Sequence, residues 1–261
     1  MASITPSSDQ PKIKLYWLNQ SRSQRILWLL EELKLDYELE IVHRLPSKHA
    51  PPELKKVHAL GKSPVLTILP HGATEPVVLA ESAFITEYLL DHFTNPGSST
   101  LLPTRWKPGQ ENTVGGETDE WSRFRYYMHY AEGSLMPLLV IALIMSMINS
   151  PNLPFFIRPV TSLITSKVHD TFLTPNFTTH FTFLNAQLQT SPGGGKYLCG
   201  EHLTGADILM SFPLVAAKQR AGLTKESYPE LFEYVQRLEG EEGYKRAVEK
   251  IVEIEGEFRA V

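Results

Sequence analysis

Two serines stand in the turn Ser21-Arg22-Ser23-Gln24-Arg25, immediately before an apolar repeat of helical spacing. A hydroxyl there can cap the helix by satisfying orphan N–H groups. It can equally donate a hydrogen bond to an anion held at the positive end of the helix. If that anion is a thiolate, bond and dipole together lower the thiol pKa from its usual ~8.5, and a drop of about two units makes thiolate the main form at neutral pH. Asn19 and Ser23 are within the same reach as Ser21, so the turn offers three candidates for the donor.

A second group of polar residues surrounds a strand. In Leu60-Gly61-Lys62-Ser63-Pro64-Val65-Leu66 an apolar run starts directly after a proline, and proline is tolerated at the first residue of a strand but not in its middle. Pro64 is expected to be cis, an isomer that costs an X-Pro bond only about 0.5–1 kcal/mol. The N–H and C=O of Ser63 then turn away from the sheet and can pair with an extended ligand as one more strand. Glu81-Ser82 lies twelve residues beyond Leu69 and opens a helical pattern. Lys62, Ser63, Glu81 and Ser82 thus offer a cation, an exposed backbone edge and a helix N-terminus, which suits a short zwitterionic peptide.

The elements that must position these groups are legible in order. Ile13, Leu15 and Trp17 alternate with Lys12, Lys14 and Tyr16 as a strand; Ile26, Leu29, Leu30 and Leu33 fall at helical spacing; Tyr37, Leu39 and Ile41 alternate again. The helical crossover predicts parallel pairing of those two strands. Strands at 65–69 and 77–79, joined by a short turn containing Gly72, predict an antiparallel hairpin, and Ile85, Tyr88, Leu89 and His92 mark a closing helix. From 95 to 119 the composition turns to Pro, Gly and Ser, reading as a linker with an insertion at 104–118. Beyond it no strand pattern recurs. Helices are expected at 120–148, bent near Pro137, at 166–188, interrupted near Pro175, and at 206–221, 229–238 and 244–253. The fold class is therefore α/β plus all-α, with an α/β domain at 12–94, a linker at 95–119 and a helical domain at 120–261.

The composition limits the functions available. The 261 residues are 42% hydrophobic and 21% charged with a net charge of −4, a globular chain with no basic stripe for nucleic acid. Cys199 is the one cysteine, so an intrachain disulfide, a zinc cluster and a C-x-x-C pair are excluded, and a reducing compartment is expected. Residues 1–11 lack a signal-peptide pattern. The most apolar run, 135–148, is shorter than the roughly 20 residues of a membrane span and reads as a buried helix, without a transmembrane segment.

The order Leu15-Tyr16-Trp17-Leu18-Asn19-Gln20-Ser21-Arg22-Ser23-Gln24-Arg25, followed by Leu60 to Leu66 and Leu79-Ala80-Glu81-Ser82, resembles the glutathione transferase family, in its fungal branch with a Ser-Arg-Ser-Gln-Arg turn. The likeness continues through Leu198-Cys199-Gly200-Glu201-His202-Leu203-Thr204-Gly205-Ala206-Asp207, similar to the family's capping box. It implies a thioredoxin-like first domain, a helical second domain, a cytoplasmic homodimer and glutathione as co-substrate, without a metal. By position it implies that Ser21 activates the thiol and that Ser63 pairs with the cysteinyl part. Lys62 would hold the glycyl carboxylate, with His49 a second ligand there, and Glu81 and Ser82 would hold the γ-glutamyl end. Tyr16 lies inside a strand, away from the position of a catalytic tyrosine, and Cys199 is no counterpart of the catalytic cysteine of omega-type members.

Arg123, Tyr126, Tyr127 and Tyr130 recur at i, i+3, i+4 and i+7 on the first long helix. Either they pack the core, or this face meets the first domain and lines an apolar acceptor pocket. The expected activity is conjugation of the glutathione thiolate to apolar electrophiles, in detoxification or secondary metabolism. The rivals are a glutathione-dependent peroxidase or disulfide reductase, and a non-catalytic ligand-binding or regulatory protein of the same fold.

Overall fold

A computed structural model describes residues 10–94 and 100–260. Residues 1–9 and the Asn95-Pro96-Gly97-Ser98-Ser99 part of the expected linker lie outside the described residues. The chain divides into two compact units, Met1–Thr94 with Glu241–Val261, and Asn95–Gly240.

In the first unit the strands are β1 (Lys12–Leu18), β2 (Tyr37–Val42), β3 (Val65–Leu69) and β4 (Val77–Ala80), in the sheet order β2-β1-β3-β4. Helix α1 (Ser23–Leu33) is the crossover that makes β1 and β2 parallel, with Leu15 opposite Leu39. The hairpin is antiparallel, with Leu66 opposite Leu79, and β3 runs antiparallel to β1 with Leu15 opposite Leu66. Helix α2 (Ser82–Phe93) packs on α1 and β4. The core is Leu15, Trp17, Leu27, Leu30, Val65, Leu66, Ile85 and Leu89, all buried.

One boundary differs from the expected one. The last helix, α9 (Glu242–Glu255), belongs by packing to this unit and not to the helical domain. Its buried stripe of Tyr244, Ala247 and Ile251 seats on α1, where the Trp28 and Tyr244 rings meet edge to face at 5.2 Å. Gly243 comes so close to α1 that a Cβ there would stand 2.2 Å from Glu32 Oε1. Polar links close the contact: Lys250 donates to Glu31 at 3.0 Å, Arg246 at 3.3 Å, and the Tyr37 hydroxyl donates to the same carboxylate.

Among the described residues the second unit is helical: α3 (Asp119–Tyr130), α4 (Met136–Ile148), α5 (Arg158–Val168), α6 (Thr174–Gln189), α7 (Gly205–Arg220) and α8 (Pro229–Gly240). Helix α7 runs through its core, held at its start by the Asp207 carboxylate. That group accepts from Leu198 N at 3.1 Å, Thr204 N at 2.8 Å, Thr204 Oγ1 at 2.6 Å and the Tyr234 hydroxyl at 2.6 Å.

The bends expected at Pro137 and Pro175 take the form of single π-turns, Ala131–Leu135 and His169–Leu173, each ending just before its proline. A proline removes one N–H from the helical ladder, and the wider turn absorbs the mismatch. The helix expected at 166–188 starts earlier, at Arg158. The expectation that 135–148 is buried holds on one side only: Met136, Leu138, Leu139 and Ala142 are buried, whereas Val140, Leu143, Ile144, Met147 and Ile148 are exposed.

Candidate active site

The sequence-selected residues of the first unit gather where β1 ends. The turn after β1 is closed by a hydroxyl pair. Ser21 Oγ lies 2.7 Å from the Leu18 carbonyl and 2.6 Å from Ser23 Oγ, and it accepts the Ser23 N–H at 3.2 Å. Ser23 Oγ lies 3.1 Å from the same carbonyl and accepts the Leu18 N–H at 3.0 Å. Both serines are buried, but only Ser21 reaches solvent at all, with 6% exposure against 0% for Ser23. Ser23 is thereby committed to the turn.

Asn19 is committed as well. Its Oδ1 accepts the Arg44 N–H at 2.9 Å, and the Arg44 guanidinium donates to Asn19 O at 3.1 Å, Gln20 O at 3.0 Å and Lys48 O at 2.9 Å. Arg44 was not foreseen from sequence, since nothing periodic marks an arginine in the polar stretch after β2. Burial, together with the positive charge of Arg22, pushes its pKa down. No acidic residue lies in the first turn of α1, so the turn is electropositive and suits an anion.

The other selected residues approach the same place from the sheet and from α2. The Ser63–Pro64 bond is cis. Among the described residues neither the N–H nor the C=O of Ser63 has a backbone partner, while its hydroxyl donates to Tyr16 O of β1 at 3.0 Å. Ser82 is buried at the start of α2, and its Oγ accepts from Arg25 Nη1 at 3.1 Å. That bond ties the first turn of α1 to the first turn of α2. Arg25 stood inside the quoted motif, but its structural partner had no signal in the sequence.

Glu81 is exposed and holds φ at +73° with ψ at 114°, a conformation unusual for a residue with a side chain. Such outliers concentrate at functional sites. Lys62 is exposed beside Ser63, following the left-handed turn at Gly61. His49 is also exposed, with Nδ1 3.2 Å from Ser47 Oγ, in the loop that Arg44 fastens to the β1–α1 turn.

The acceptor-pocket set has a different fate. Arg123 spends its guanidinium on Gln187 O at 2.8 Å, Leu198 O at 3.3 Å and Thr190 O at 2.6 Å, all within the second unit. Tyr127 is fully buried and donates to Gln187 Oε1 at 3.4 Å, and Tyr130 is buried against His180. Burial holds both phenol pKa values far above the ordinary range. These three thus make their polar contacts inside the second unit, Tyr127 and Tyr130 buried and Arg123 half-buried. Tyr126, 48% exposed and stacked on Tyr130 at 5.5 Å, is the member that meets solvent. Among the described residues no group of three or more His, Cys, Asp or Glu side chains is placed to hold a metal.

Comparison with known proteins bears on the same residues. Family models described as "Glutathione S-transferase, N-terminal domain" and "Glutathione S-transferase, C-terminal domain" match residues 21–92 and 161–250. The Saccharomyces cerevisiae protein named Glutathione S-transferase 1 is 35% identical over 92% of this chain and 95% of its own. A glutathione S-transferase crystal structure from Actinobacillus pleuropneumoniae is 32% identical, with a TM-score of 0.61 over 91% of this chain and 92% of that one. A glutathione transferase homolog from Lodderomyces elongisporus, solved with two GSH per subunit, shares the fold at 18% identity and a TM-score of 0.61, covering 92% of this chain and 98% of that one. The first unit is thus the thioredoxin-like unit of that fold, followed by its helical unit. The chain belongs to the glutathione S-transferase family and is a glutathione transferase.

Proposed function

We propose that this transferase binds glutathione across the ends of β1, α1 and α2 and adds its thiolate to apolar electrophiles. The observation that carries the reading is the paired hydroxyl arrangement at Leu18. For Ser21 to donate to a thiolate it must release the Leu18 carbonyl, a bond of 2.7 Å. Ser23 Oγ already stands 3.1 Å from that carbonyl and can take it over. The carbonyl is therefore not left unpaired, and the swing of Ser21 costs little. Ser21 is then the catalytic donor and Ser23 a positioning residue.

The remaining roles follow from charge and edge. The Ser63 backbone pairs with the cysteinyl part of glutathione. Lys62 and His49 take the glycyl carboxylate, and Glu81 and Ser82 take the γ-glutamyl end, with Arg25 holding Ser82 in place. In the reaction the thiol loses its proton, the sulfur forms a bond to an electrophilic carbon, and a halide or other leaving group departs with its electron pair. Positioning the two reactants and stabilising the thiolate supply the catalysis. A homodimer working in the cytoplasm, in detoxification, belongs to the same reading, supported by the sequence likeness and by the lack of any intrachain disulfide.

The test is to titrate bound glutathione by its thiolate absorbance and to assay the protein on a halonitrobenzene and on an organic hydroperoxide. Conjugation with a lowered thiol pKa supports the reading. Turnover of hydroperoxide alone favours a peroxidase, and glutathione binding without any thiolate signal favours a non-catalytic binder.

A further inference from the structure

The apolar surface of the second unit is concentrated in one place. Met147 at the end of α4, Phe155 and Phe156 in the following turn, and Leu163 in α5 are 54%, 80%, 67% and 74% exposed. Ile144 and Ile164 extend the same surface along the two helices. Isolated exposed apolar residues need no explanation, but a continuous patch of this kind marks an interaction site. Of the most apolar stretch within the continuous helix Asp119–Ile148 only about a third of the residues are buried, unlike a core helix.

The charge pattern of this hairpin is one-sided. Residues 133–169 hold no Asp or Glu, in a chain that has 29, and their only full charges are Arg158 and Lys167. Both are exposed, and among the described residues neither has an acidic partner: Arg158 donates to Leu153 O and Pro151 O, and Lys167 forms no ion pair.

We infer that the α4–α5 hairpin is a membrane-docking element, which lays its Phe155–Phe156 tip into the interface of a bilayer carrying anionic headgroups. The continuous helix Asp119–Ile148 is long and apolar enough to cross a membrane by length and composition. Its first half, however, carries Asp119, Glu120, Arg123, Arg125 and Glu132 and buries Phe124, Tyr127 and Met128 in the second unit. That leaves the 13 residues of α4, about 20 Å against a hydrocarbon core of about 30 Å, to meet lipid. Lying in the interface plane fits a helix pair with aromatic and aliphatic residues outward and bases at its margin. A second copy of the chain fits less well as the occupant. Across a two-fold axis the surface meets itself, so the two bases would face a stretch that offers no acidic partner. Phosphate and carboxylate headgroups provide that partner, and juxtamembrane bases are attracted to them within a Debye length.

The test uses the full chain and vesicles of phosphatidylcholine alone or mixed with phosphatidylserine. Flotation should be strong on the mixed vesicles and weaken with salt. Phe155→Glu combined with Phe156→Glu should reduce partitioning by about tenfold or more per residue. Arg158→Ala combined with Lys167→Ala should cost about fivefold per base on the mixed vesicles and nothing on the neutral ones. Cys199 is buried, so an environment-sensitive dye on Asn152→Cys labels the tip selectively, and its emission should shift to the blue on binding. Retained glutathione binding and an unchanged Tm establish that each variant is folded. A folded wild type that fails to float with the mixed vesicles overturns the inference, as does flotation unaffected by the double phenylalanine change. A phenylalanine variant that turns a dimer into a monomer, with no flotation of the wild type, assigns the surface to a second copy and also overturns it.

Discussion

Replacing Ser21 by alanine separates the structural duty of its hydroxyl from the catalytic one. In the free protein the change removes a hydroxyl bonded to Leu18 O at 2.7 Å and approached by the Ser23 N–H at 3.2 Å. Ser23 Oγ, 3.1 Å from the same carbonyl, inherits the first of these. The net structural loss is then about one neutral hydrogen bond, ~0.5–1.5 kcal/mol, and Tm should fall by only a few degrees. The bond lost to the ligand is of a stronger class, because its acceptor is charged. At about 1.5–3 kcal/mol it corresponds to roughly a 10- to 150-fold loss of kcat/KM at neutral pH, and to a thiol pKa raised by about one to two units. The sign follows directly: the thiolate is disfavoured, so wild type and variant converge as the pH passes ~8.5, where free thiol ionises unaided. The assay is the pH profile of kcat/KM with a halonitrobenzene, alongside the thiolate absorbance of bound glutathione. A Ser21→Ala protein with the wild-type profile, next to an inactive but folded Ser23→Ala or Asn19→Ala protein, would refute the assignment and move the donor to that residue.

Three further outcomes follow from the same geometry. Ser82→Ala and Lys62→Ala should raise the KM for glutathione about tenfold or more with kcat little changed, as expected of lost uniform binding; a collapsed kcat at constant KM contradicts the anchoring role. Glu81→Gly should relieve a backbone held at φ +73°, stabilising the protein by about 1 kcal/mol or roughly 2–4 °C in Tm, while weakening glutathione binding; a lowered Tm would show that the conformation carries no strain. Burial alone would raise the pKa of Glu31, but its bonds to Tyr37, Lys250 and Arg246 win and hold it below the ordinary value of 4.5. Glu31 therefore contributes stability that is present above pH 4.5 and lost as pH falls through its folded pKa, so the deficit of Glu31→Gln in a pH series of Tm should shrink below that point.

The legible part of this chain was the part written in local periodicity. Alternation at Ile13, Leu15 and Trp17 and at Tyr37, Leu39 and Ile41 specifies which faces are buried, and a single helical crossover then fixes parallel pairing. The structural places of Ser21 in a turn, Ser63 before a cis proline and Ser82 at a helix start were legible because turns, prolines and helix starts have fixed chemistry. Arg44 was not, because its work is to hold carbonyls of a turn more than twenty residues away, and such a contact leaves no pattern in sequence. The face of Arg123 and Tyr127 shows the converse limit: helical spacing groups side chains on one face but does not say what that face meets. The same ambiguity let 135–148 read as a core helix, since apolar residues all round a helix do not reveal which are left uncovered.

The seating of α9 on α1 also bears on how this protein is made. The first unit is assembled from Met1–Thr94 and Glu241–Val261, so its last piece leaves the ribosome only after the whole second unit has been translated. At about 5–20 residues per second, residues 95–240 occupy roughly 7–30 s. During that interval the nascent sheet and α1 lack the cover that Tyr244 and Ile251 give to Trp28 and its neighbours. The helical unit, whose segments are contiguous, can complete itself first. Glutathione binding would then be a late acquisition of the nascent chain, and the interval before it is when the exposed side of α1 is open to chaperones or to misassembly with another chain.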